Sequence, residues 1–173
     1  RVLFRSNVHL NIYNAGFIEL HARSAFSFLR AASHPEEMVR RAAELGMPAL
    51  GICDRDGVYG SARAHHAAIE CGDVRAIVGA EVTLDDGAAV PLLAKTRAGY
   101  QNLCRLLTGA HLRSPKGEGA ARWEELGEFA EGLVCLTGDE EGPLRQRLAR
   151  GDVDGARDRL RRLVRIFGED NVY

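Results

Sequence analysis

Three residues at or near the carboxyl ends of successive apolar segments have the side-chain types that a hydrolytic metal centre needs, with a structural or accidental trio as the competing reading. They are His21 in FIELHARSAFSFL, Asp54 in PALGICDRDGVYG and Glu81 in RAIVGAEVTL. Imidazole nitrogen and carboxylate oxygen bind Zn, Mn or Fe, and a metal so held turns water into hydroxide near neutral pH. A histidine that merely packs or hydrogen-bonds at a strand end is the competing reading of His21. Other chemistry-bearing stretches point elsewhere. His65 and His66 are adjacent in a helical stretch, so they do not share a face, and a solvated or packed role is expected. Asp54-Arg55-Asp56-Gly57 has the look of a phosphate or calcium loop but lacks the repeated acidic spacing of a calcium site. Arg145 to Arg165 holds eight arginines interrupted by Asp152, Asp154 and Asp158. A salt-bridged solvated face is the expectation there, with contact to a DNA backbone as the alternative. No aromatic platform is interleaved with it, so stacking on single strands is not supported.

The elements that must position these residues alternate. Phe17 to His21 alternates in polarity and predicts a first strand. Ser33 with Glu36 has capping-box spacing, and Pro35 suits a first helical turn. A helix over Pro35 to Leu45 would place Met38, Val39, Ala42 and Leu45 on one face, with Gly46 ending it. Pro48 to Cys53 is a short apolar run suited to a strand covered on both faces. Ser61 to Cys71 predicts a second helix and Arg75 to Leu84 a third strand. Asp85-Asp86-Gly87 is a hairpin signal that returns the chain as a fourth strand over Ala89 to Ala94. Gly99 to Ala110 has helical spacing, Arg113 to Gly119 is a surface loop, and Trp123 to Phe129 a short helix. Gly132 to Gly138 predicts a fifth strand, followed by helices over Pro143 to Ala149 and Val153 to Phe167. A further strand begins at Asn171. The alternation predicts an α/β fold with mostly parallel strands, whose carboxyl ends carry the chemistry.

Composition bounds the rest. The 173 residues, 46% hydrophobic and 27% charged, suit one globular domain. A net charge of −1 provides no global field toward nucleic acid or membrane, so any such binding needs a local patch. Cys53, Cys71, Cys104 and Cys135 form no C-x-x-C pair, and buried free thiols in a reducing, cytoplasmic compartment are expected. No apolar run reaches the roughly 18 residues that cross a bilayer, so no membrane partner is expected. The opening RVLFRSNVHLNIYNAG has no signal-peptide core and no initiator methionine, which suggests a piece of a longer protein.

Five segments, FIELHARSAFSFL, PALGICDRDGVYG, IVGAEVTL, LLAKTRAGYQNLCRLL and GLVCLTG, in this order and spacing, resemble the polymerase and histidinol phosphatase (PHP) domain. The variant is similar to the amino-terminal part of bacterial error-prone DNA polymerases, relatives of the replicative polymerase III alpha subunit. The resemblance covers residues 17–173, leaving 1–16 as a lead segment. It implies an incomplete, distorted (β/α)7 PHP barrel, truncated at its carboxyl end.

The metal-binding form of the family has His-x-His on the first strand, Thr-Asp-His after the second and Gly-x-Glu on the third. Here His21, Asp54 and Glu81 match, but Arg23 and Arg55 stand where histidines would be. Leu29 and Arg30 replace a further ligand, and Val90 and Pro91 occupy the region of another. Guanidinium stays protonated at physiological pH and offers a metal no lone pair. It can instead pair with Asp54 and Glu81 by charge-assisted hydrogen bonds. The resemblance thus implies vestigial metal positions and no cofactor in this segment. The parent's polymerase domain would use Mg, with nucleotidyl transfer performed outside these residues. Its implied partners are the remaining polymerase domains in cis, DNA through the parent protein, and accessory repair proteins. The alternative is a metal-dependent phosphoesterase or 3′–5′ exonuclease of the same superfamily, holding Zn or Mn. A purely structural docking module is a third class.

Overall fold

The computed structural model describes residues 16–173. Apart from Gly16, the expected lead segment 1–16 lies outside the described residues. Five strands, β1 (Glu19–Ala22), β2 (Ala49–Arg55), β3 (Arg75–Thr83), β4 (Ala89–Ala94) and β5 (Leu133–Cys135), form one sheet in sequence order. β1, β2 and β3 pair in parallel, and β4 runs antiparallel to both of its neighbours, so β5 points the same way as β1 to β3. The fold is therefore α/β with mostly parallel strands, as the alternation predicts. Among the described residues the sheet is open, with β1 and β5 at its edges.

Helices α1 (Pro35–Glu44) and α2 (Ser61–Cys71) cover β2, burying Val39, Ala42, Ala64 and Ala67 against Leu50 and Ile52. A larger core packs α3 (Arg97–Arg113), α4 (Trp123–Glu128) and α6 (Val153–Phe167) on β3, β4 and β5. It is built from Ala80, Val82, Leu92, Leu103, Leu106, Leu126 and Leu163. Helix α5 (Pro143–Leu148) precedes α6, whose N-cap Asp152 accepts the Gly155 N–H at 2.8 Å. Cys53 and Cys135 are buried free thiols whose pKa burial pushes up, whereas Cys71 and Cys104 are half-buried.

Several boundaries differ from expectation for local reasons. The first helix is capped one residue later than Ser33: Pro35 takes its first position, so His34 is the N-cap and donates its N–H to Glu37 Oε2 at 3.1 Å. Helix α3 begins two residues before Gly99 because Thr96 caps it, accepting the Gly99 N–H at 3.0 Å, and it runs on through Arg113. The hairpin forms at Asp85 to Gly87, with Gly87 at φ 80°. The strand expected from Asn171 begins later. Glu169–Asn171 is a 3₁₀ turn, and Val172 alone bridges in parallel to Cys135.

Candidate functional site at the carboxyl ends of the strands

Side chains alternate across a strand, so residues two apart share a face. On β3, Ala80 and Val82 enter the helix-covered core, which sends Glu81 to the opposite face. Parallel register places Arg55 beside Glu81 and Asp54 beside Ala80. Arg55 therefore reaches Glu81, while Asp54 follows Leu50 and Ile52 to the helix side.

Glu81 is 1% exposed and sits among cations. Arg23 Nε donates to Glu81 Oε2 at 2.7 Å, and Arg23 Nη2 to Glu81 Oε1 at 2.6 Å. The same Nη2 also donates to Asp139 Oδ2, from the loop after β5. Arg55 Nη1 lies 3.4 Å from Glu81 Oε2 and donates to Glu141 Oε2 at 3.0 Å. Glu141 is held in turn by Arg30. Arg55 Nε donates to Thr83 Oγ1 at 2.8 Å, and Thr83 donates its hydroxyl and N–H to the Asp56 carboxylate. Burial alone would raise the Glu81 pKa. Contacts from His21 and Arg23, with the charges of Arg23 and Arg55, outweigh it and hold the carboxyl well below the usual range. The Glu81 hydrogen bonds and Asp139 likewise raise the pKa of Arg23, against its burial.

Asp54 does not pair with either arginine, contrary to expectation. It is fully buried and accepts from the Ser24 N–H and hydroxyl at 2.8 Å, the Ser27 hydroxyl at 2.8 Å and the Gly60 N–H at 2.9 Å. Four donors from β1's following loop and the start of α2 thus converge on one carboxylate. The loop that they fix presents Phe28 and Leu29 to solvent, with Leu29 fully exposed at φ 60°. Gly60 is required here, since a Cβ would lie 2.6 Å from Asp54 Oδ2.

Among the described residues, the group whose ligand-type atoms come together is His21, Glu81 and Asp139, with those atoms all within 4.8 Å of one another. As arranged, these side chains do not fit a metal ion. Arg23 already engages both carboxylates, and a guanidinium that close would repel a dication and supply no ligand. His21 Nε2 lies 3.6 Å from Glu81 Oε1, beyond hydrogen-bond length, and is buried without a hydrogen-bond partner.

Asp139, Glu141 and Thr83 were not among the expected site residues. Thr83 lies two residues beyond Glu81 on the same face, so strand periodicity could have found it. Asp139 and Glu141 sit in a polar loop far from Arg23 in sequence, and no local signal marks them. Among the other candidates, His65 and His66 are exposed on α2. Asp56 anchors Thr83. In the arginine-rich segment, Arg157 pairs with Asp154 and Arg161 with Asp158, whereas Arg159 and Arg162 lie over Trp123 at 4.7 and 4.5 Å. Two of these arginines thus belong to a packed helix contact.

A family profile described as "PHP domain" matches residues 19–173. A protein of Cutibacterium acnes named "Error-prone DNA polymerase" is 40% identical over 170 residues, covering 90% of this chain and 15% of its own length. One of the same name from Rhodopirellula baltica is 38% identical over 172 residues, covering 98% of this chain and 14% of its own. The chain thus spans about one seventh of these relatives. Among solved structures, an amidohydrolase from Chromobacterium violaceum aligns with a TM-score of 0.43 at 22% identity, covering 83% of this chain and 54% of that one.

Proposed function

Because the chain belongs to the PHP domain family, we propose that it serves as the amino-terminal, non-polymerising domain of an error-prone DNA polymerase used in damage-tolerant synthesis. The observation that carries this reading is the 40% identity over 170 residues to a curated polymerase of that name. Nucleotidyl transfer would then occur elsewhere in the parent, on carboxylates that bind Mg. The carboxylates at this rim are engaged by arginines, and the role of the segment is structural. Its metal positions, His21, Asp54 and Glu81, are vestigial, and Arg23 and Arg55 tie the strand ends together. The partners are the remaining polymerase domains in cis, DNA through the parent, and accessory repair proteins. The compartment is the cytoplasm. Among the described residues no helix is long and apolar enough to cross a membrane.

An immunoblot of the source cell with an antibody raised against this segment tests the reading. A band several times the mass of the segment, co-purifying with primer-extension activity, is the expected result. A band at the mass of the segment alone overturns it. The phosphoesterase or exonuclease alternative requires hydrolysis of a phosphate monoester or a DNA 3′ end with added manganese. Purified protein without that activity removes it.

A further inference from the structure

We infer that the loop after β1 is a docking knob: its tip, led by Phe28, inserts into an apolar pocket of the same polypeptide outside residues 1–173 and so fixes this domain against the rest of the polymerase. The inference rests on the reading of the chain as one domain of a longer polymerase, and names where that polymerase touches it. Three observations carry it.

The tip is apolar, exposed and held still. Phe28 is 85% exposed, and Phe26 in the same loop and Tyr59, next to Gly60, also face solvent. Aromatic side chains clustered at a surface in this way mark an interaction site rather than a solvated loop. The Ala25 N–H donates to the Ser33 carbonyl at 2.8 Å and closes the loop, whose base is clamped by Ser24 and Ser27 on the buried Asp54. Leu29, at φ 60°, turns the chain back directly after Phe28, and Arg30 ties the tip to Glu141. A knob already fixed in shape loses little freedom on docking.

The charges around the knob are spent. Arg23 pairs with Glu81 and Asp139, Arg30 with Glu141, Arg55 with Glu81 and Glu141, and Arg63 with Glu36. Arg63 also lies 5.8 Å from the centre of the Phe26 ring. Guanidinium groups so engaged leave no surplus positive charge for a nucleic-acid backbone, whose binding depends on it. The surface that remains is apolar without a net field, and its complement is an apolar pocket of protein.

Size places that pocket on the same polypeptide. Three aromatic rings at about 150–250 Å² each stay below the roughly 800 Å² per partner of a stable interface between separate proteins. Covalent attachment supplies the difference, because it raises the effective concentration of the pocket. The chain spans about one seventh of its polymerase relatives, so under this reading most of the molecule is available to provide it. A second copy would meet the knob with a different surface of itself, which builds open arrays rather than a closed dimer.

The test uses the full native chain with photoreactive benzoylphenylalanine in place of Phe28, irradiated and mapped by mass spectrometry. The expected result is one dominant cross-link within a single polypeptide, to a residue outside 1–173. Hydroxyl-radical labelling of the unsubstituted protein should oxidise Phe28 at least fivefold more slowly than its exposure in this domain implies. Phe28→Ser should speed proteolytic release of the segment at least fivefold, whereas Phe28→Leu, which keeps an apolar knob, should not. A dominant cross-link to a second copy, to DNA or to a separate protein overturns the inference, as does a Phe28 that reacts at the rate of a fully solvated phenylalanine. Any of these results in a native chain several times the mass of the segment leaves the polymerase reading standing. A native chain no larger than the segment overturns both.

Discussion

At the scale of the residue, the decisive fact is a carboxylate that is 1% exposed and served by two guanidinium groups. A buried charge is tolerable only when it is paired and hydrogen-bonded, so Glu81 and Arg23 depend on one another. Glu81→Gln keeps the shape and removes the charge. It is expected to destabilise the fold by about 3 kcal/mol, the lower end for breaking a buried pair, because Arg23 retains Asp139 and Arg55 retains Glu141. Urea denaturation with an unchanged m-value would check this, and a loss below a few tenths of a kcal/mol would show that the pair is idle. Leu29 presents the opposite case, since its side chain is fully exposed and its φ of 60° is unfavourable for a branched apolar residue. Leu29→Asn should stabilise the protein by about 1 kcal/mol, the strain that asparagine tolerates at such φ, read as a higher melting temperature.

At the scale of the element, strand alternation decides which side chains meet. Asp54 and Arg55 are neighbours in sequence, yet one anchors the loop from Ser24 and the other joins the ion-pair lattice. Expectation placed Asp54 with the arginines because β2 is buried along all but its last residue, so hydrophobicity shows no alternation there. Contact with α1 and α2 through Leu50 and Ile52 reveals its parity. The Asp54 anchor is tested through Gly60, where a methyl group would meet Asp54 Oδ2 at 2.6 Å and Pro35 Cγ at 3.0 Å. Gly60→Ala should cost about 2 kcal/mol, as overpacking does. It should also speed amide exchange at Ser24, whose N–H bonds Asp54 at 2.8 Å. Exchange unchanged at Ser24 would mean that the loop holds itself.

At the scale of the whole molecule, the lattice ties the loop after β5 back to β1, β2 and β3. Glu81, Asp139 and Glu141 all have carboxyl pKa values lowered. For Asp139, burial opposes the Arg23 hydrogen bond that lowers it, and for Glu141 the Arg30 hydrogen bond leads. A carboxyl whose folded pKa lies below its unfolded one stabilises the fold fully above the unfolded value. That stabilisation is lost as pH falls toward the folded value. Stability should therefore fall steeply below about pH 4, the ordinary carboxylate range. The fall should be shallower in Glu81→Gln, which has already lost one such group. Melting temperatures between neutral pH and pH 3 would separate the two, and parallel curves would remove Glu81 from the acid response.

The sequence by itself determined the order and kind of the elements from β1 to α6, though not the 3₁₀ turn at Glu169–Asn171, because apolar periodicity, the hairpin signal at Asp85 to Gly87 and the proline at the start of α1 are local properties of the chain. The family resemblance legible in the sequence implied that Arg23 and Arg55 stand where the metal-binding form has histidines, and that guanidinium offers a metal no lone pair is a property of the residue that does not depend on the fold. Only the tertiary structure decided which groups converge. Arg23 and Asp139 lie 116 residues apart, and neither a residue's face nor a loop's return path across the sheet is encoded in nearby residues. Register between strands is a long-range outcome of packing on both faces. It exchanged Asp54 for Asp139 in the cluster around Glu81.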